Sequence, residues 1–183
     1  MKKTIFTYGL IAGVIVATIM VISIQMCYNN PNFEPSMLVG YASMIVAFSM
    51  IFIGIKNYRD KFLGGSITFG KAFKMGLWIA FIASTMYVVT WLIYYYFFIP
   101  DFMEKYSQMV LNNLNKDGAT AAEIAKKTEE MEMYGEMYKN PLFVILLTYS
   151  EVFPIGLVIS LITALILKRK PHADKNQPVV DNL

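Results

Sequence analysis

Four uninterrupted apolar stretches, each near the length a helix needs to cross a bilayer, leave this chain very few folds. They cover 4–27, 37–55, 72–99 and 142–167. Spanning a hydrocarbon core of ~30 Å takes about twenty such residues. A water-soluble fold of 183 residues would have to hide all four stretches with only 16% charged residues to cover them, against about 25% in ordinary soluble domains. Backbone polar groups in lipid must be satisfied within the segment, so each stretch is expected to be a helix. The expected fold is all-α, an integral membrane four-helix bundle.

Charge orients the bundle. The stretch from Lys56 to Lys74 holds five cations (Lys56, Arg59, Lys61, Lys71, Lys74) and one acid, Asp60. Lys2, Lys3, Lys168, Arg169, Lys170 and Lys175 flank the first and last spans, whereas the turn before the second span, 28–36, has no Lys or Arg. Segment 100–140 carries five lysines against eight acidic residues. Basic loops stay on the cytoplasmic side, so both ends and the 56–74 loop are expected inside, in a bacterial inner membrane, with 100–140 outside. The apolar run behind Met1-Lys2-Lys3 exceeds the ~7–15 residues of a signal-peptide core and has no small-residue cleavage site after it, so it reads as a retained span. Met26 is too bulky to precede a lipidated Cys27. The domain reading is a four-span unit over 1–170 and a disordered cytoplasmic tail over 171–183.

The polar segment 100–140 has its own pattern. Phe102, Tyr106, Met109, Val110 and Leu114 share one helical face, and Asn115 to Gly118 stop that helix. Thr120 with Glu123 forms a capping-box signature that opens a second helix, with Ile124, Met131, Tyr134 and Tyr138 on one side. An extracytoplasmic amphipathic helical hairpin is expected between the third and fourth spans. Small residues recur along the spans (Gly9, Gly13, Ala17; Gly40, Ala47, Gly54; Gly156, Ser160, Ala164), the spacing that lets membrane helices approach closely. Trp78 near one end of the third span, and Trp91 with Tyr94-Tyr95-Tyr96 near the other, suit the two interfaces. Ser84, Tyr87, Trp91 and Tyr94 read as a packing seam.

Chemistry-bearing motifs are few. Gly65 to Lys71 matches the start of a phosphate loop, but Ala72 stands where a magnesium-binding hydroxyl belongs and no strand precedes it, so no nucleotide is expected. The better reading is a Gly64-Gly65 turn with Thr68 capping the next helix. Met131, Met133 and Met137 lack a histidine or cysteine partner, and Met131 and Met133 fall on different faces, which argues for filler over copper ligands. Cys27 is the single cysteine and His172 the single histidine, so neither a disulfide nor a metal set is expected. A net charge of +3 placed beside apolar spans is orientation information, not a nucleic-acid footprint. No cofactor is expected, and membrane lipids are the expected surroundings, with a homo-oligomer or a membrane-protein partner as the protein contact.

Glu151 is the one ionisable acid or base inside a span and away from its ends, Lys74 lying at the inner end of the third. It lies about ten residues into the fourth, ~15 Å along a helix. An intramembrane carboxylate is costly and must face a polar partner or cavity. Pro154 leaves the Ser150 carbonyl without its helical donor, and Tyr149, Ser150, Gln25 and Tyr87 are the candidate partners. A proton- or cation-linked site is one reading; a glutamate that fixes helix packing is the other, favoured by the absence of a second such group in the spans away from their ends.

Lys56-Asn57-Tyr58-Arg59-Asp60, Gly64-Gly65 and Ile67-Thr68-Phe69-Gly70-Lys71-Ala72-Phe73 resemble the bacterial membrane family named domain of unknown function 4199, common in Bacteroidetes. The resemblance covers about residues 3–170 and implies a small four-span inner-membrane protein without an assigned activity. The sequence favours an interaction module working through helix packing and the outer hairpin. The alternative is a small transporter, or transporter subunit, built on Glu151. An enzyme is not expected, since no catalytic constellation is visible.

Overall fold

Helix is the only regular element among the described residues, which are 1–29 and 37–169 of a computed structural model. In chain order the helices are α1 (Lys2–Asn29), α2 (Met37–Phe62), α3 (Phe69–Phe97), α4 (Phe102–Lys116), α5 (Ala121–Met137) and α6 (Pro141–Leu167). Four of them, α1, α2, α3 and α6, are long and apolar enough to cross a membrane. The protein is an all-α membrane bundle with a helical hairpin, α4–α5, at one end. The middle of the first turn and the tail after 169 lie outside the described residues.

The ends of the helices follow from local chemistry. Thr68 caps α3 by accepting from the Lys71 amide. Thr120 and Glu123 form the reciprocal capping box of α5. Asn140 accepts from the Leu142 amide at 3.0 Å, with Pro141 at the first helical position of α6, where its missing N–H costs nothing.

One boundary departs from expectation. The basic stretch is not a loop over its whole length. From Lys56 to Phe62 it continues α2, and from Phe69 it belongs to α3. No residue between Ile55 and Leu63 breaks a helix, so α2 runs beyond its apolar span until Gly64 and Gly65 turn the chain at φ 57° and 82°, a conformation open to glycine. The true connection is 63–68.

Within the bundle α3 packs along both α1 and α6, and α2 closes the ring against α1 and α6. Glycines set the contact distances. A Cβ on Gly9 would meet Ile82 at 2.9 Å, one on Gly54 would meet Tyr8 at 2.9 Å, and one on Gly156 would meet the Ala80 Cβ at 2.7 Å. The small-residue faces of α1 and α6 are thus sites of backbone approach, where dispersion rather than water exclusion holds helices together in lipid. Gly40 has nothing within 4 Å and takes no part. Phe48, Ile51, Ile55, Met75, Ile79 and Val152 are completely buried and fill the half of the bundle away from the hairpin.

That far end is clasped. Arg169 donates its amide to the Ile67 carbonyl at 2.9 Å in an isolated antiparallel bridge. Arg59 reaches the Leu167 carbonyl at 3.4 Å and pairs with Asp60 at 2.7 Å, and the Lys71 ammonium sits over the Tyr58 ring. All five cations of the basic stretch collect here; Lys56, Lys61 and Lys74 are exposed.

Candidate functional site

At the opposite end the hairpin rests on the spans through aromatic residues. Phe102 of α4 meets Trp91 edge-on with ring centroids 5.3 Å apart, and Tyr138, just after α5, meets Tyr95 at 5.5 Å. The Tyr96 hydroxyl donates to the Tyr138 carbonyl at 3.0 Å. Tyr28, near the end of α1, donates to Asp101 at 2.5 Å, while Lys105 pairs with Asp101 at 3.0 Å and lies over the Tyr28 ring. The Tyr28 hydroxyl and then Lys105 hold the Asp101 carboxyl below the usual carboxylate range.

Because the hairpin touches down on these bulky rings, it leaves a space beneath it. The resulting cavity is about 410 Å³. Helical spacing brings each wall together: Tyr87 and Trp91 from α3, Thr148 and Glu151 from α6, Phe102 and Tyr106 from α4, and Lys127, Glu130, Met131 and Tyr134 from α5. Ile24, Met103, Leu147 and Tyr138 complete it. Glu151 stands exposed on this wall and, among the described residues, has no hydrogen-bond or ion-pair partner. Glu130 is tied to Lys127 at 3.0 Å. Thr148 satisfies its hydroxyl within α6, on the Val144 carbonyl at 2.7 Å. Burial, and then the nearby Glu151 carboxylate, push the Tyr138 phenol above its ordinary range.

The structure brings one expected partner, Tyr87, to Glu151 and separates the others. Tyr149 is two residues away on the same helix, hence on the far face, where its hydroxyl meets Thr85 at 2.7 Å and its ring stacks on Phe81. Ser150 donates to the Leu147 carbonyl at 2.6 Å. Gln25 accepts from Tyr94. Pro154 lies within α6 on an exposed face and the helix runs through it. Trp91, expected in an interfacial belt, is buried beneath the hairpin, and the Ser84–Tyr94 seam is split: Ser84 is core, Tyr87 and Trp91 line the cavity, and Tyr94 turns to α1.

Of the hairpin residues on the wall, Phe102 and Tyr106, and Met131, Tyr134 and Tyr138, were visible in the sequence on the apolar faces of its two helices. Met103, Lys127 and Glu130 were not on those faces; the signal that could have found the last two is the i, i+3, i+4, i+7 spacing of Lys127, Glu130, Met131 and Tyr134. Nothing in that recurrence says that the face points at Glu151.

Fold and site together define an all-α membrane bundle, with four helices long and apolar enough to cross a membrane and a cavity between bundle and hairpin. The chain belongs to the family described as "Protein of unknown function (DUF4199)", which matches residues 7–169. No curated protein and no solved structure matches it.

Proposed function

We propose that the protein is a binding module of a bacterial inner membrane that holds a small ligand beneath an extracytoplasmic hairpin. One observation carries this reading: Glu151, a carboxylate without a hydrogen-bond or ion-pair partner among the described residues, faces a cavity walled by five helices. A carboxylate within a membrane-spanning helix is expensive unless something compensates it. The converging groups are a carboxylate, phenols and aromatic faces, a set that binds rather than reacts, and Glu130, the other acid on the wall, is already neutralised by Lys127. Binding is favoured over passage through a single copy, because Phe48, Ile51, Ile55, Met75 and Ile79 fill the bundle below. The orientation rests on the cations gathered at the clasped end and on the acidic excess of the hairpin.

Native mass spectrometry of gently extracted protein tests the reading, with wild type beside a cavity-filling Met103→Trp variant on the hairpin. Wild type is expected to retain a small molecule that the variant loses while remaining folded. A protein partner held equally by both, with no small molecule in either, would sink the binding reading and return the hairpin to a docking role.

A further inference from the structure

We infer that the cavity beneath the hairpin takes an organic cation, an ammonium or similar onium head on an apolar body. This rests on the binding reading above and adds the ligand's chemistry to it. The first observation is charge. Two acids and one lysine line the wall; Lys127 and Glu130 cancel at 3.0 Å, which leaves Glu151 as the uncompensated group. An anion would meet that carboxylate with no free cation beside it among the described residues. A neutral apolar molecule would exclude water from that carboxylate without supplying a counter-charge.

The second observation is the wall itself. Six aromatic residues (Tyr87, Trp91, Phe102, Tyr106, Tyr134, Tyr138) line this one space. Ring faces attract onium groups electrostatically, through the negative face of the ring quadrupole. Phe102 is fixed edge-on to Trp91 and stacked on Tyr106, centroids 5.8 Å apart, so part of this wall is ordered before any ligand arrives. Among the described residues no group of three or more His, Cys, Asp or Glu could hold a metal ion, whereas hard cations ask for several oxygen ligands. The cavity volume of about 410 Å³ falls in the range of small-molecule sites, ~300–1,000 Å³.

The test uses the full chain in lipid nanodiscs, carrying Trp78→Phe so that Trp91 is its remaining tryptophan. Benzyltrimethylammonium is titrated beside neopentylbenzene, its uncharged carbon isostere, and Trp91 fluorescence is followed. The cation is expected to give a saturable change at concentrations at least about tenfold below the isostere, and Glu151→Gln is expected to weaken it about tenfold or more. Tyr106→Leu, on the hairpin and away from span packing, is expected to weaken the cation severalfold and serves if Glu151→Gln does not fold. Equal binding of both probes, indifferent to Glu151→Gln, would overturn the cation assignment and leave a ligand site standing. A flat response to both probes would also overturn it. The retained-molecule experiment then decides whether the binding reading falls too.

Discussion

A single buried hydroxyl shows how closely residue-level chemistry can be read here. Ser84 is fully buried on α3, and its Oγ has no hydrogen-bond partner among the described residues, whereas Ser160 on α6 donates to the Gly156 carbonyl at 2.7 Å. An unsatisfied buried polar group costs about 1–3 kcal/mol. Ser84→Ala is therefore expected to leave the melting temperature in detergent unchanged or raise it, and Ser160→Ala to lower it slightly. A clear fall for Ser84→Ala alone would show that its hydroxyl is bonded. At the root of the hairpin, acid behaviour follows Asp101. Its carboxyl is held low in the folded protein, so its contribution is complete above the unfolded value of ~3.9 and disappears as pH falls through the folded one. A fluorophore pair across α1 and α4 should report a docked hairpin at neutral pH and loosening only below about pH 4. With Asp101→Asn that acid transition should vanish. Glu151 was legible because a charge within an apolar run has to be accommodated. Its surroundings were not: whether Tyr149 or Tyr138 reaches it depends on helix phase and on where a distant hairpin lands.

At the scale of elements, close helix approach yields a sharp contrast. Gly156→Ala would set a methyl 2.7 Å from the Ala80 Cβ, and Phe48 crowds the same spot at 3.1 Å, whereas Gly40 is open. Overpacking costs typically ~1–3 kcal/mol, and alanine returns up to ~1 kcal/mol of helix propensity. Gly156→Ala should lower thermal stability, and Gly40→Ala should leave it alone or raise it; equal melting temperatures for the two variants would contradict the packing described. The spans and both hairpin helices could be read in advance, because their apolar runs and the Thr120–Glu123 cap are local signals. The continuation of α2 could not be placed by hydropathy, since Lys56 to Phe62 is too polar to resemble the span it extends. Only the missing helix breaker before Gly64 pointed to it.

For the whole molecule, charge distribution makes the decisive prediction. In a Cys27→Ser background, a cysteine at Asp117 on the hairpin turn should react with a membrane-impermeant maleimide added to intact cells. One at Lys61 should react only after the membrane is opened. The reverse pattern would invert the orientation proposed here. The four long helices were accessible from sequence because the length of each apolar run imposes them. The cavity was not, because it arises where two separately legible parts, bundle and hairpin, meet through Trp91, Phe102 and Tyr138.

The Ile67–Arg169 clasp has a mechanical meaning as well. It pins the start of α3 to the end of α6, and Gly76 against Ser160 and Ala80 against Gly156 continue the contact a little further along. Towards the hairpin the two helices stay joined, since the Tyr149 hydroxyl meets Thr85 at 2.7 Å and Val144 is buried with Trp91 and Tyr95. A tilt imposed by a change in bilayer thickness would therefore carry α3 and α6 as one rigid strut, and both roots of the hairpin would travel together.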